Sequence, residues 1–163
     1  MLCFILHFSS KPFLIFLFID NMLFGVYRIL LSYIKIYVYR QNKSLVTGYV
    51  QDILIDRKLE LLPKYFKADE LIQHNPDMGD GVQEFLHVLE QWENEGKPQT
   101  YIKLHKVLGE GNFVLALSEG FFKGDYVAFY DLYRVEDDKI VEHWDVIEAI
   151  PEPEKSKNDN GKF

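Results

Sequence analysis

The sequence has one cysteine, Cys3, which stands outside the part of the chain that is patterned like a globular domain. A single thiol cannot form an intramolecular disulfide or build a thiolate metal site. HExxH and paired CxxC spacings are both missing, and there is no glycine-rich phosphate-binding loop. We therefore expect a fold that depends on packing and holds no metal.

Positive charge is also scarce. The formal net charge is −7, and no stripe of lysine and arginine follows residue 45. Proteins that bind nucleic acids usually cluster these residues on one face, so a nucleic-acid partner is not expected. A chain of 163 residues is long enough for one domain with its own core.

Residues 1–40 form a hydrophobic N-terminal extension that differs from the rest of the chain. Residues 12–31 are long enough to span a membrane only if Asp20, Asn21 and Arg28 are tolerated, and residues 12–39 offer membrane contact. A secretory signal is a second interpretation, although no small-residue cleavage site follows. A third is an over-extended reading frame with an internal start at Met22. We expect a cytoplasmic protein, with membrane association if the extension is native.

Residues 41–152 carry the pattern of a folded domain. Apolar residues at helical spacing predict a first helix from Asn42, capped by Asn42 or Ser44, and a third helix over residues 82–92. A shorter helix is predicted over residues 59–66. Between the second and third helices we expect a short extended piece and a loop, and residues 153–163 are expected to be a disordered tail.

After Pro98 the apolar residues alternate, which predicts strands over residues 99–108, 113–122, 126–136 and 140–150. The turns between them are short enough for hairpins, so the strands form an antiparallel meander. Helices followed by such a meander give an α+β fold. We expect a cone-shaped, strongly curved sheet packed on three helices, with a ligand pocket on its concave side.

Chemistry-bearing side chains interrupt the apolar faces of the last two strands. Alternation puts Asp131 and Tyr133 on one face of the third strand, and His143 and Asp145 on one face of the fourth. If these faces coincide, Asp131, His143 and Asp145 lie close together. Further polar candidates are His74, Asn75, His105 and Glu119. Each also has a structural interpretation: Asn75 suits an Asx turn, and Asp145 could be a solvent-facing partner of Arg134.

Three segments, LIQHNPDMGDGVQEF, KLHKVLGEGNFVLALSEG and YDLYRVEDDKIVEHWDVIEAIPE, together resemble the SnoaL-like polyketide cyclases of the nuclear transport factor two-like superfamily. The similarity is strongest to members described as predicted aldol-condensation enzymes, and it covers about residues 42–152. It implies an α+β cone, a homodimer formed through the sheet, a small-molecule cavity and no cofactor.

The resemblance also implies roles for individual residues. Asp145 matches the aspartate that removes a proton next to a carbonyl, and His143, His74 or Asn75 would stabilise the enolate oxygen. Apart from these implied roles, we expect Asn75, His105, Asp131, Tyr133 and Glu119 to contact the substrate, a small carbonyl compound. The alternative is a non-catalytic small-molecule-binding or dimerisation module, because one fold hosts many functions.

Overall fold

The computed structural model describes residues 12–67 and 69–163, with side chains from residue 24 onward. The first eleven residues of the predicted extension, including Cys3, lie outside this range. Two compact units divide the chain, one ending at Tyr37 and one covering Val38–Phe163. The second unit holds the sheet and all the predicted site residues.

The elements follow the predicted α+β order. The helices are α1 (Pro12–Tyr49), a π-helical turn (Val50–Ile55), a 3-10 turn (Leu59–Leu61), α2 (Leu62–Tyr65), α3 (Val82–Asn94) and a 3-10 turn (Pro153–Lys155). The strands are β1 (Ile72–Gln73), β2 (Gln99–Glu110), β3 (Phe113–Phe122), β4 (Asp125–Glu136) and β5 (Lys139–Ala149).

One predicted boundary was wrong. A helix start at Asn42 was expected, but α1 is continuous from Pro12, because no proline interrupts the helix-compatible residues that precede Asn42. The Asn42 side chain is therefore inside a helix and cannot cap it. It donates instead to the carbonyl oxygen of Gly111 at 3.2 Å, which ties α1 to the β2–β3 turn.

No helix in the described part of the chain is long and apolar enough to cross a membrane, and this includes the helix that carries residues 12–31.

The sheet is the predicted meander with one added strand. Its order is β1-β5-β4-β3-β2, with β1 parallel to β5 and the other neighbours antiparallel. The β3–β4 and β4–β5 connections are two-residue turns at Lys123–Gly124 and Asp137–Asp138, all four residues having positive φ. This backbone matches the twist of the flanking strands. A register shift between Arg134 and Val135 then brings Tyr133 opposite His143 and Asp131 opposite Asp145.

The core lies between the inner face of the sheet and the helices. The end of α1 and the π-helical turn contribute Val46, Tyr49, Val50 and Ile53, which are almost completely buried. They meet Phe129 and Tyr133 of β4, and the rings of Tyr49 and Tyr133 are 5.4 Å apart. The polar candidates of β4 and β5 therefore point toward an aromatic core.

Candidate functional site

The inner faces of β4 and β5 bring three predicted residues together. Asp131 is directly opposite Asp145, and Tyr133 is opposite His143. Residues opposite one another on neighbouring strands share a face of the sheet, so all four side chains point inward. The Nε2 atom of His143 lies 3.1 Å from Oδ1 of Asp131. We call Asp131, His143 and Asp145 the inner cluster.

Asp131 is the most enclosed member of the inner cluster, with 0 % of its surface exposed. The Tyr101 hydroxyl lies 3.2 Å from each of its carboxylate oxygens, and His143 contacts Oδ1. Burial raises the pKa of Asp131, and the hydrogen bond from His143 opposes that rise. A buried carboxyl of this kind is a group that can hold or exchange a proton.

The phenols around Asp131 stay neutral. Burial raises the pKa of Tyr101 and of Tyr133 well above the usual range, and the nearby charge of Asp131 adds to both shifts. Tyr101 can therefore act as a hydrogen-bond donor to the carboxylate. The ring of Tyr133 is stacked on that of His143, with centroids 4.8 Å apart, which fixes the plane of the imidazole.

Asp145 is half-buried and is oriented by the loop after β1. The Asn75 side chain donates from Nδ2 to Oδ2 of Asp145 at 2.7 Å. Its Oδ1 accepts from the backbone N–H of Asp77 at 2.8 Å, so Asn75 also forms the Asx turn that its sequence context suggested. The two interpretations of Asn75 are compatible, because the turn aims the amide nitrogen at Asp145.

His74 is not part of the inner cluster. Its ring is stacked on Trp144 at 4.4 Å, and its Nε2 lies 2.8 Å from Glu142, on the opposite face of β5. Arg134 also contacts Glu142, through Nε at 2.5 Å. The hydrogen bonds from His74 and Arg134 lower the pKa of Glu142, and the bond from His74 contributes most. His74 thus fastens the loop to the outside of the sheet.

His105 and Glu119 also lie away from the inner cluster. Glu119 alternates with the inward residues of β3 and faces outward, 3.2 Å from Nε2 of His105. The Tyr126 hydroxyl donates to Glu119 and lowers its pKa. The His105 ring is stacked on Phe163 at 4.0 Å. Both predicted substrate contacts are therefore on the outer face of the sheet.

Two residues of the site were missed by the sequence analysis. Gln73 accepts from His143 Nδ1 through its side-chain oxygen at 3.0 Å, and Tyr101 contacts Asp131. Alternation alone would not have placed Tyr101 inward, because Tyr101 shares its parity with Lys103 and His105. A register shift between Tyr101 and Lys103 buries Tyr101 and leaves Ile102 exposed. Gln73 could not have been placed either, because its contact depends on the parallel pairing of β1 with β5, which no local pattern encodes.

Three clefts of about 400, 470 and 370 Å³ open on the described part of the chain. None of them is lined by a member of the inner cluster. In the described residues, no group of three or more histidine, cysteine, aspartate or glutamate side chains is arranged to hold a metal ion. The polar groups in contact at the inner cluster are the carboxyls of Asp131 and Asp145, the imidazole of His143, the amides of Gln73 and Asn75 and the phenol of Tyr101.

No protein-family model matches the chain, and no curated protein matches it. Solved structures do. TsrD from Streptomyces laurentii is 15 % identical with a TM-score of 0.52, over 67 % of this chain and 89 % of that one. A protein assigned as a SnoaL-like polyketide cyclase from Jannaschia sp. has the same identity and TM-score, over 68 % and 87 %.

An epoxide hydrolase of the LEH-like type from M. tuberculosis is 16 % identical with a TM-score of 0.51, over 68 % of this chain and 84 % of that one. Identities this low establish the fold and leave the reaction open. The predicted α+β architecture is confirmed: the chain shares the fold of these structures, and of an NTF2-like protein from Cytophaga hutchinsonii that is 18 % identical with a TM-score of 0.51, over 66 % of this chain and 89 % of that one.

Proposed function

We propose that this protein is a cofactor-independent enzyme that moves a proton next to the carbonyl group of a small organic substrate. Aldol condensation, cyclisation and isomerisation all begin with that step. The observation that carries the proposal is the inner cluster itself: the half-buried carboxyl of Asp145 lies opposite the buried carboxyl of Asp131, which the half-buried imidazole of His143 contacts. Enclosed groups of this kind are typical of acid–base sites.

Asp145 is the proposed base. It is the member of the inner cluster that the Asn75 amide orients, at 2.7 Å, and it is less buried than Asp131. Asn75 has a second amide hydrogen, since only one is needed for the bond to Asp145. With substrate on Asp145, that hydrogen can stabilise the negative charge that develops on the carbonyl oxygen.

Asp131 and His143 are proposed to support Asp145 from the protein interior. They are in mutual contact, and Asp131 is also held by Tyr101, so they form a prearranged polar network beside the base. Preorganised groups of this kind stabilise charge changes without having to rearrange during the reaction. His74, His105 and Glu119 have no part in this proposal, because they lie on the outer face.

A second candidate is a binding or dimerisation module in which the same residues have only a structural role. One observation favours it: both ring nitrogens of His143 are already hydrogen-bonded within the protein. In that case the network would fasten β1 to β5. The two candidates predict different results for Asp145→Asn. If Asp145 is the base, the variant loses turnover. If Asp145 is only structural, the variant changes no catalytic rate.

The test is a screen of small ketones, aldehydes and 1,3-dicarbonyl compounds for turnover by the full chain. Asp145→Asn preserves the side-chain volume and removes the base, so kcat is expected to fall about 100-fold or more. Asp125→Asn, in an exposed position at the start of β4, is the matched control and should keep the wild-type rate. Turnover that survives Asp145→Asn would contradict the role of Asp145.

A further inference from the structure

The orientation of the Gln73 side-chain amide is fixed by the backbone around it. The atom assigned as Oε1 receives the backbone N–H groups of His74 at 3.1 Å and Asn75 at 3.2 Å. The His74 N–H also donates to the carbonyl oxygen of His143 at 2.9 Å, whereas an amide nitrogen of Gln73 at that position would oppose the Asn75 N–H with another donor. The oxygen must therefore be there, and the amide nitrogen points to the Met78 sulfur at 3.6 Å.

This orientation determines which nitrogen of His143 carries hydrogen. The Nδ1 atom of His143 lies 3.0 Å from Oε1 of Gln73, which is an acceptor only. The contact is a hydrogen bond only if Nδ1 is protonated. In a neutral imidazole with hydrogen on Nδ1, the Nε2 atom has a lone pair and no hydrogen.

The other nitrogen of His143 meets a second acceptor. Nε2 lies 3.1 Å from Oδ1 of Asp131. With Nδ1 already protonated, a bare Nε2 opposite a bare carboxylate oxygen would place two lone pairs in contact in a buried site. One proton must therefore lie between them, as imidazolium with carboxylate or as imidazole with carboxylic acid.

We propose that Gln73 is a positioning residue that holds His143 with hydrogen on Nδ1, so that His143 Nε2 and Asp131 share a single proton. This inference stands on hydrogen-bond geometry and does not depend on the reaction proposed above. It adds a role for the end of β1: Gln73 sets the tautomer of the imidazole, and Asn75 in the loop that follows orients Asp145.

Other titratable groups face this pair from the surrounding elements. Asp145 lies opposite Asp131 on β5, Tyr101 contacts Asp131 from β2, and Tyr133 is stacked on His143 from β4. From α1, Tyr49 packs against Tyr133. The pair is neutral as a whole in either arrangement of its proton. The proton can thus move between Nε2 and Oδ1 without changing the charge next to Asp145.

The test is ring ¹⁵N NMR on the full chain labelled in its five histidines, with the His143 signals identified by their loss in His143→Asn. Between about pH 6 and pH 8, around the usual histidine titration, Nδ1 is expected to be protonated throughout. A neutral His143 with its hydrogen on Nε2 and a bare Nδ1 would overturn the proposal without any variant.

Two variants then test whether Gln73 is the cause. Gln73→Glu keeps an acceptor for Nδ1 and for the two backbone N–H groups, so it should retain the wild-type protonation of Nδ1. Gln73→Met removes the acceptor, and the hydrogen is expected to move to Nε2, where it can bond to the Asp131 carboxylate. If His143 keeps the wild-type ring spectrum in Gln73→Met, Gln73 does not set the tautomer.

Discussion

At the residue scale, burial distinguishes the two carboxyls of the inner cluster. Alternation predicted which residues share a face within each strand and left open whether the two faces coincide, and the structure makes Asp131 and Asp145 direct cross-strand neighbours. Only Asp131 is completely enclosed. Parity in the sequence predicted which residues share a face, but the depth of each side chain depends on Tyr101 and Tyr49, which come from distant parts of the chain.

Asp131→Asn is expected to change how stability depends on pH. The folded-state pKa of Asp131 is above the usual value near 3.9, so its contribution to stability is full below about pH 4 and is lost as the pH rises through the folded-state pKa. The asparagine does not titrate. The free energy of unfolding of the variant, relative to wild type, should therefore rise with pH above about 4.

Urea unfolding followed by tryptophan fluorescence between about pH 4 and pH 8 measures this difference, with Asp125→Asn as the control for an exposed aspartate. The control should run parallel to wild type at every pH. If the difference in unfolding free energy between Asp131→Asn and wild type stays constant with pH, the pKa of Asp131 is the same in the folded and unfolded chains.

Asn75→Ala is expected to destabilise the domain by about 1–3 kcal/mol, because it removes a hydrogen bond to a carboxylate and leaves Asp145 without its partner. The control is Asn158→Ala, since Asn158 accepts a similar turn bond from Asn160 in the exposed tail. Its effect should stay within about 0.5 kcal/mol. Both free energies of unfolding are measured with urea. If the two variants lose the same amount, the bond between Asn75 and Asp145 stabilises the domain no more than an exposed turn bond does.

At the element scale, the sequence predicted the strands better than the helix ends. β3 occupies the predicted residues 113–122, because alternation is regular there and turn formers flank it on both sides. Two features escaped prediction for physical reasons. The parallel pairing of the two-residue β1 with β5 is a long-range contact that no local sequence pattern indicates. The helix α1 continues through Asn42 from residues that precede it, and the hydrophobic composition of those residues suggested a separate segment.

The close approach of the paired strands β2 and β3 requires glycine at residue 120. A Cβ atom there would lie 1.8 Å from the carbonyl oxygen of Thr100, just before the register shift between Tyr101 and Lys103. Gly120→Ala should therefore destabilise the domain by about 1–3 kcal/mol or prevent folding. Gly25→Ala, with nothing within 4 Å of the added methyl group, should leave thermal unfolding of the domain unchanged. Wild-type stability of Gly120→Ala would show that the strands can separate there.

At the scale of the whole molecule, the outer face of the sheet exposes several apolar side chains. Phe113, Phe121, Tyr126 and Val146 are all exposed, Val146 by 62 %. Exposed apolar patches on soluble domains often mark interaction surfaces. The homodimer implied by the resemblance remains a prediction, and this face is where it would form.

Val146→Glu should therefore reduce self-association, because it puts a charge on that face in place of its most exposed apolar side chain. Leu59→Glu is the matched control, since Leu59 is also exposed but belongs to a 3-10 turn outside the sheet. Sedimentation velocity of the full chain should give a dimer for wild type and Leu59→Glu, and more monomer for Val146→Glu. A wild-type monomer at high concentration would contradict the homodimer.

The most direct test of the proposed function is proton exchange at carbon. The full chain is incubated in D₂O with ketones whose α-protons exchange slowly without a catalyst, and the loss of the α-proton signal is followed by ¹H NMR. With Asp145 as base, exchange should be faster than in buffer for at least one ketone that binds, and Asp145→Asn should abolish the acceleration. Equal exchange by wild type and Asp145→Asn with a bound ketone would contradict proton transfer by Asp145.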